Sequence, residues 1–360
     1  MKLAKSSLRP GAVLAALLLV AAACGGDAEE SSATTAATVE PAEESSATAE
    51  PAEEATDGLS GSIEVSGSST VEPITALVAE RFNAANPGVG ISVEGPGTGD
   101  GFQRFCAGET DISDASRAIK DSEAQACAEA GVEWVELKVA FDGISVLTSP
   151  ENDAVSCLDL GDLYALVGAE SEGFQSWSDA NGLASELAAA GLGGSHAPYP
   201  DAPLVITAPG EESGTFDAFV ELALEDITEE RGHDEPTRVD YQASANDNVI
   251  VDNISSNPTS FGWVGFAFFV ENSSVVKAIE VDGGDGCVAP SIGSIADGSY
   301  PLSRPLFIYV SLSRMADNPA LGPFVDFYLG DGFSSVAEAG YVTLPDDEIA
   351  ATMSAWASGG

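Results

Sequence analysis

Basic residues are scarce in this chain: 13 lysines and arginines face 58 acids over 360 residues, a formal charge of −45. Long-range repulsion on that scale excludes nucleic acid and anionic membrane surfaces as partners. The acidity otherwise describes a solvated surface suited to a salty or acidic exterior. Histidine is almost missing, and His196 and His233 sit in no metal-ligand pattern. No G-x-x-x-x-G-K occurs, which argues against a nucleotide P-loop, and PGEESGT (Pro209 to Thr215) is not a G-x-S-x-G nucleophile elbow. Nothing here calls for a cofactor or a metal. What is plentiful is apolar residue, at 44%, enough for two compact domains or one large one.

The N-terminus reads as an export signal. Lys2, Lys5 and Arg9 precede an apolar run from Ala12 to Ala23 that is too short to span a membrane and ends at Cys24-Gly25-Gly26. Small residues before a cysteine resemble a bacterial lipoprotein cleavage site, which makes Cys24 the expected lipidated first residue. Loss of residues 1–23 removes three bases and no acids, taking the formal charge from −45 to −48. Residues 24–60 are mostly Ala, Glu, Ser, Thr and Pro, with almost nothing to bury, and predict a disordered, self-repelling tether. The remaining cysteines, Cys106, Cys127, Cys157 and Cys287, are even in number, which in an exported chain favours disulfides. Three pairings are open; Cys106–Cys127 with Cys157–Cys287 is favoured, one closing a local loop and the other tying distant parts.

From Gly61 onward the chain alternates strand, small polar turn and helix, the pattern of an α/β sheet. SIEVSG reads as a strand, and the helix after it carries Ile74, Leu77, Val78 and Phe82 on one face. GISVEG and LVITAP are further strands, the latter followed by Phe216, Phe219, Val220, Ala223, Leu224 and Ile227 at helical spacing. Three turns invite comparison: SGSST (Ser66 to Thr70), GPGTGDG (Gly95 to Gly101) and EESGT (Glu211 to Thr215). Each joins hydroxyl donors to glycine at an expected helix N-terminus, where unpaired amides and the peptide dipoles favour an anion without net basic charge. Taken singly, each is also an ordinary helix cap. In open α/β sheets, ligands lie beyond the carboxyl ends of strands, where these turns fall. Arg117, in DISDASR, is either a full positive charge clamping that anion or the partner of Asp114 or Glu123 in a surface ion pair.

The ordered set SGSSTVEPI, GPGTGDGFQRFCAGETDISDASRAIK, PGEESGTFDAF, ASANDNVIVDNIS, FGWVGFAFF, CVAPS, PLSRPLFIYV and GYVTLPD covers nearly everything from Gly61 onward. It resembles the phosphate-binding proteins of bacterial high-affinity phosphate ABC transporters. The resemblance implies a type II periplasmic-binding-protein fold: two α/β lobes, joined by crossover hinge strands, with the ligand in the cleft. We expect lobe 1 at 61–143 plus 265–360, lobe 2 at 144–264, and crossovers near Phe141 to Val146 and Phe261 to Phe269. By motif, Ser68, Ser69, Thr70, Thr98, Gly99 and Arg117 would bind phosphate from lobe 1, and Ser213, Gly214 and Thr215 from lobe 2. Some relatives carry an arginine just before the Ser-Gly-Thr turn and an aspartate at the position of Arg117. Here Pro209-Gly210-Glu211-Glu212 precedes the turn, so the cation has changed lobes. Asp247 is then the candidate acceptor for the proton that phosphate retains, with a helix cap as its other reading.

The implied protein is a monomeric, non-enzymatic receptor, lipid-anchored through Cys24 at the outer face of the cytoplasmic membrane, that delivers phosphate to a membrane permease. A receptor for sulfate, molybdate or a phosphonate is the nearer alternative, and a hydrolase or phosphatase using Ser213 the more distant one. An acidic protein with only adhesive or structural duty is a third class.

Overall fold

A computed structural model describes residues 58–359. The expected signal segment, Cys24 and all but the last three residues of the expected tether lie outside that range. Those three residues adjoin the first strand, and Leu59 packs on its core.

Alternating apolar residues make β1 (Gly61–Gly67), which pairs in parallel with β2 (Val89–Glu94) and β3 (Ile112–Ala115). Helix Glu72–Ala85 lays Ile74, Val78 and Phe82 onto this sheet at four-residue spacing, with Leu77 at the margin. β4 (Trp134–Thr148) is long enough to serve two sheets. The remaining strands are β5 (Cys157–Asp159), β6 (Val205–Ala208), β7 (Gln242–Ala243), β8 (Ser260–Gly265), β9 (Lys277–Ala278), β10 (Glu280–Asp282), β11 (Cys287–Val288) and β12 (Ser303–Ser311). The strand order is β2-β1-β3-β12-β4-β8-β6-β7, with β9 on β4, while β11-β10-β5 form a separate small sheet.

β4 divides this order into two lobes. From Trp134 to Gly143 it pairs antiparallel with β12, and from Ile144 to Leu147 with β8. The first lobe's core gathers Ile63, Phe82, Leu137, Ile308, Phe324 and Tyr328. The second gathers Tyr164, Trp177, Phe219, Phe261 and Trp263, with Phe219 stacked on Trp263 at 4.1 Å. Among the described residues no helix is long and apolar enough to cross a membrane.

Within Phe141 to Val146, β4 changes partner from β12 to β8, and Phe261 to Phe269 holds most of β8 and the start of helix Phe266–Asn272. β8 pairs with the 144–147 end of β4 and with β6, and the Leu302 carbonyl, just before β12, accepts from the Ile144 amide at 2.9 Å. Beyond residue 265, β9 pairs with the far end of β4, β10 with β5, and Cys287 is bonded to Cys157. The apolar run FGWVGFAFF forms the buried strand β8 and runs directly into the helix Phe266–Asn272. Both favoured disulfides, Cys106–Cys127 and Cys157–Cys287, are present.

Candidate functional site

The three turns converge between the lobes. The first is held by the Ser68 amide donating to the Asp114 carbonyl at 2.9 Å, and the Ser68 hydroxyl oxygen accepts from the Thr70 amide at 3.2 Å. Behind it, helix Thr98–Cys106 approaches β1 so closely that a Cβ on Gly101 would meet the Gly67 Cα at 2.4 Å. The bend into that helix uses Gly97 at φ 112°, a conformation L side chains rarely adopt. Thr98 then sits 3.0 Å from the Ser116 hydroxyl and accepts from the Ser116 amide at 3.2 Å.

The third turn comes from the second lobe. Ser213 caps helix Gly214–Phe219, its hydroxyl oxygen accepting from the Thr215 amide at 3.2 Å. A Cβ on Gly214 would lie 3.6 Å from the Ser69 carbonyl oxygen, and the Ser69 hydroxyl donates to Asp217 across the cleft at 3.2 Å. Two cavities sharing Thr70 result. One of about 590 Å³ is lined by Ser68, Ser69, Thr98, Gly99 and Arg117, facing Asp217 and Glu221. The other, about 320 Å³, is lined by Asp142, Gly214, Thr215 and Asp247. Apart from Ser213, which turns to its own helix, every expected ligand residue lines one of the two.

Arg117 reaches its cavity already paired. Its two terminal nitrogens donate to Glu123 at 2.9 and 2.8 Å, and its guanidinium lies 5.6 Å from the centre of the Phe102 ring. Of the two ion-pair partners read from the sequence, Glu123 is the actual one. Asp114 is instead fully buried, bonded to the Thr75 hydroxyl at 3.1 Å, and burial pushes its carboxyl up to about 7. Asp247 opens helix Asp247–Ser256, but Asn246 is the cap, so the cap reading passes to its neighbour. Asp247 is half-buried, and that desolvation raises its carboxyl.

Sequence reasoning missed a second, deeper cation. Arg304, on β12 and 7% exposed, donates to the Thr70 hydroxyl at 3.0 Å and to Glu221 of the opposite lobe. Its cross-strand partner on β4 is Asp142, with Arg304 Nε 3.4 Å from Asp142 Oδ2. Burial raises the Asp142 carboxyl and the charge of Arg304 opposes the rise. A lone acid in the apolar run VAFDGISV and the arginine of PLSRPLF were the available signals. The histidines bond elsewhere: His196 Nε2 lies 3.4 Å from Asp282 and 3.6 Å from the disulfide sulfur of Cys157, and His233 Nε2 lies 3.4 Å from Glu170.

Two lobes of mixed sheet, linked through a shared strand and facing each other across a polar cleft, define a substrate-binding protein. A family model described as a PBP superfamily domain matches residues 31–331. The chain is 39% identical to Protein SphX of Synechocystis sp. over 289 residues, 80% of each chain. It is 33% identical to the phosphate-binding protein PstS of Staphylococcus aureus over 291 residues, again 80% of each. A crystal structure of "a possible phosphate binding protein" from Planctomyces limnophilus superposes with a TM-score of 0.73 at 34% identity, covering 84% of this chain and 99% of that one. The chain thus belongs to the PBP superfamily, within the family of the PstS and SphX phosphate-binding proteins.

Proposed function

We propose that this protein binds inorganic phosphate outside the cytoplasm and delivers it to the permease of an ABC transporter. The observation that carries this reading is the convergence of three hydroxyl- and glycine-rich turns, with Arg117 and Arg304, on one interlobe cleft. Membership of the PstS and SphX family and the likeness to their named phosphate-binding members support it. The ligand residues we assign are Ser68, Ser69, Thr70, Thr98, Gly99 and Arg117 from the first lobe, and Ser213, Gly214 and Thr215 from the second. The lobes we assign are 61–143 with 303–360, and 144–302, following strand pairing and the Cys157–Cys287 bond. Affinity comes from short, preorganised hydrogen bonds at contact distance, to which the distant acids contribute little beyond about 8 Å at physiological ionic strength.

No reaction is required of such a receptor, and neither His196 nor His233 lines either cavity. The monomer is proposed to be exported and held by lipid on Cys24, with residues 24–57 as the spacer to the membrane. Calorimetry with phosphate, sulfate, molybdate and a phosphonate tests the function. Phosphate is expected to bind tightly and to raise the melting temperature by mass action. Tighter binding of another oxyanion, or none of any, overturns the reading.

A further inference from the structure

On the second lobe a disulfide, an imidazole and a carboxylate meet at a place that lines neither cleft cavity. The small sheet β5-β10-β11 brings three of the residues together. Asp282 on β10 is the cross-strand partner of Cys287 on β11, and β5 supplies Cys157 from the other side of β10. His196 arrives from the loop after helix Asn181–Ala190, anchored by its amide donating to Asp162 Oδ2 at 2.7 Å. Its ring nitrogen Nε2 then lies 3.6 Å from Cys157 Sγ and 3.4 Å from Asp282 Oδ2. The ligand atoms of Cys157, His196 and Cys287 all fall within 4.8 Å of one another. The carboxylate is fixed as well. Asp282 Oδ1 accepts from the amides of Gly284 and Gly286 at 2.8 and 2.9 Å, which leaves Oδ2 turned to the imidazole.

These distances match the edges of a zinc tetrahedron. With Zn–N and Zn–O about 2.0 Å and Zn–S about 2.3 Å, an N···S edge is about 3.6 Å and an N···O edge about 3.3 Å. A charged His–Asp hydrogen bond would be shorter, at about 2.7–2.9 Å. The thiolate, not the disulfide, is the ligand form of cysteine. A dithiol supplies it: two electrons break the Cys157–Cys287 bond to leave two thiols, and the dithiol closes to its own disulfide. Zn²⁺ then displaces the two thiol protons to solvent, while Nε2 gives a lone pair and Asp282 Oδ2 a carboxylate oxygen. The sulfurs must part to about 3.8 Å, and Cys287 is exposed and able to turn once released. Thiolate and imidazole favour such a borderline-soft ion over calcium or magnesium. We propose that the reduced protein holds one Zn²⁺ on Cys157, Cys287, His196 and Asp282, a metal clamp that replaces the opened disulfide between β5 and β11. The site is independent of the phosphate reading. Cys106–Cys127 has no such alternative, since both histidines bond elsewhere.

The test uses the full chain carrying C24A, C106A and C127A, so that Cys157 and Cys287 are its only cysteines. It is reduced with dithiothreitol, freed of the reductant without oxygen, and titrated in phosphate-free buffer with Co²⁺, a coloured stand-in for Zn²⁺. One Co²⁺ per chain is expected, with a thiolate-to-cobalt charge-transfer band and the visible bands of a tetrahedral ion. One equivalent of Zn²⁺ should abolish both and raise the melting temperature of the reduced chain. The unreduced chain should show neither band. H196Q and D282N should each lower Zn²⁺ affinity by at least the roughly 10- to 100-fold that loss of an outer-shell partner brings. Should the background substitutions prevent folding, the unaltered chain is reduced instead, with C157A/C287A as its blank. A reduced chain that takes up no cobalt, or whose Zn²⁺ affinity is the same in H196Q and D282N, overturns the site. Equal uptake by both redox forms without the charge-transfer band would be binding to surface acids alone, and overturns it too.

Discussion

Buried charge is the feature that individual residues add to this fold, and Asp114 shows it most plainly. Its carboxyl is enclosed beneath the first turn, with one oxygen accepting from Thr75 and the other unpartnered. Thr75 is itself 3.1 Å from the Tyr328 hydroxyl, and the charge on Glu72 adds repulsion. Desolvation lifts the folded-state carboxyl to about 7 from an unfolded value of 3.8; the Thr75 bond opposes it, and Glu72 adds a smaller push upward. The folded state then binds a proton more tightly than the unfolded one, so this group costs nothing below the unfolded value. The cost grows as pH rises towards 7 and is constant above it. Between pH 5 and pH 8, Asp114→Asn should therefore lose less stability than the unaltered protein, by roughly 3 kcal/mol for two pKa units. Denaturant unfolding at the two pH values measures this; parallel losses in both proteins would show that Asp114 is ionised throughout.

At the scale of elements, the chain was readable where the signal is local and opaque where it is not. Turns rich in Ser, Thr and Gly after apolar strands mark helix starts within a few residues, which is why the turns at 66–70, 95–101 and 211–215 could be picked out before the fold, while the individual ligand residues came from the family resemblance. Asp142 and Arg304 are brought together only by the pairing of β4 with β12, which no local pattern encodes. Pairings such as those of β9 and β11 are equally illegible, since two-residue strands carry no usable periodicity. The disulfides tie such distant elements. Cys157–Cys287 spans a separation of 130 residues and Cys106–Cys127 only 21. Loop-closure entropy of the unfolded chain assigns them about 5 and about 3 kcal/mol. Replacing the first pair by alanine should lower the denaturant midpoint more than replacing the second. Equal losses, or the reverse order, would mean that local packing around Cys106, and not chain constraint, dominates.

For the whole molecule the governing quantity is a charge of −45, and it acts on a ligand that is itself an anion. At contact distance the cleft holds its own cations, Arg117 and Arg304, so bound phosphate is shielded from most of the surface. The approach is different. Every exposed acid within a Debye length, including Glu211 and Glu212 beside the third turn, repels an incoming dianion, and that length shrinks from about 30 Å at 0.01 M to about 3 Å at 1 M ionic strength. Electrostatically steered receptors lose association rate as salt is added. Here the sign should invert: stopped-flow association with phosphate should accelerate as ionic strength rises, while dissociation, set by contacts inside the closed cleft, changes less. Charge-neutral salts that do not occupy the site, such as potassium chloride, isolate the effect. An association rate that falls with salt would mean that the field of Arg117 and Lys120, which line the larger cavity, and of Arg304 behind them outweighs the acidic surface, and that the surface charge serves solubility alone.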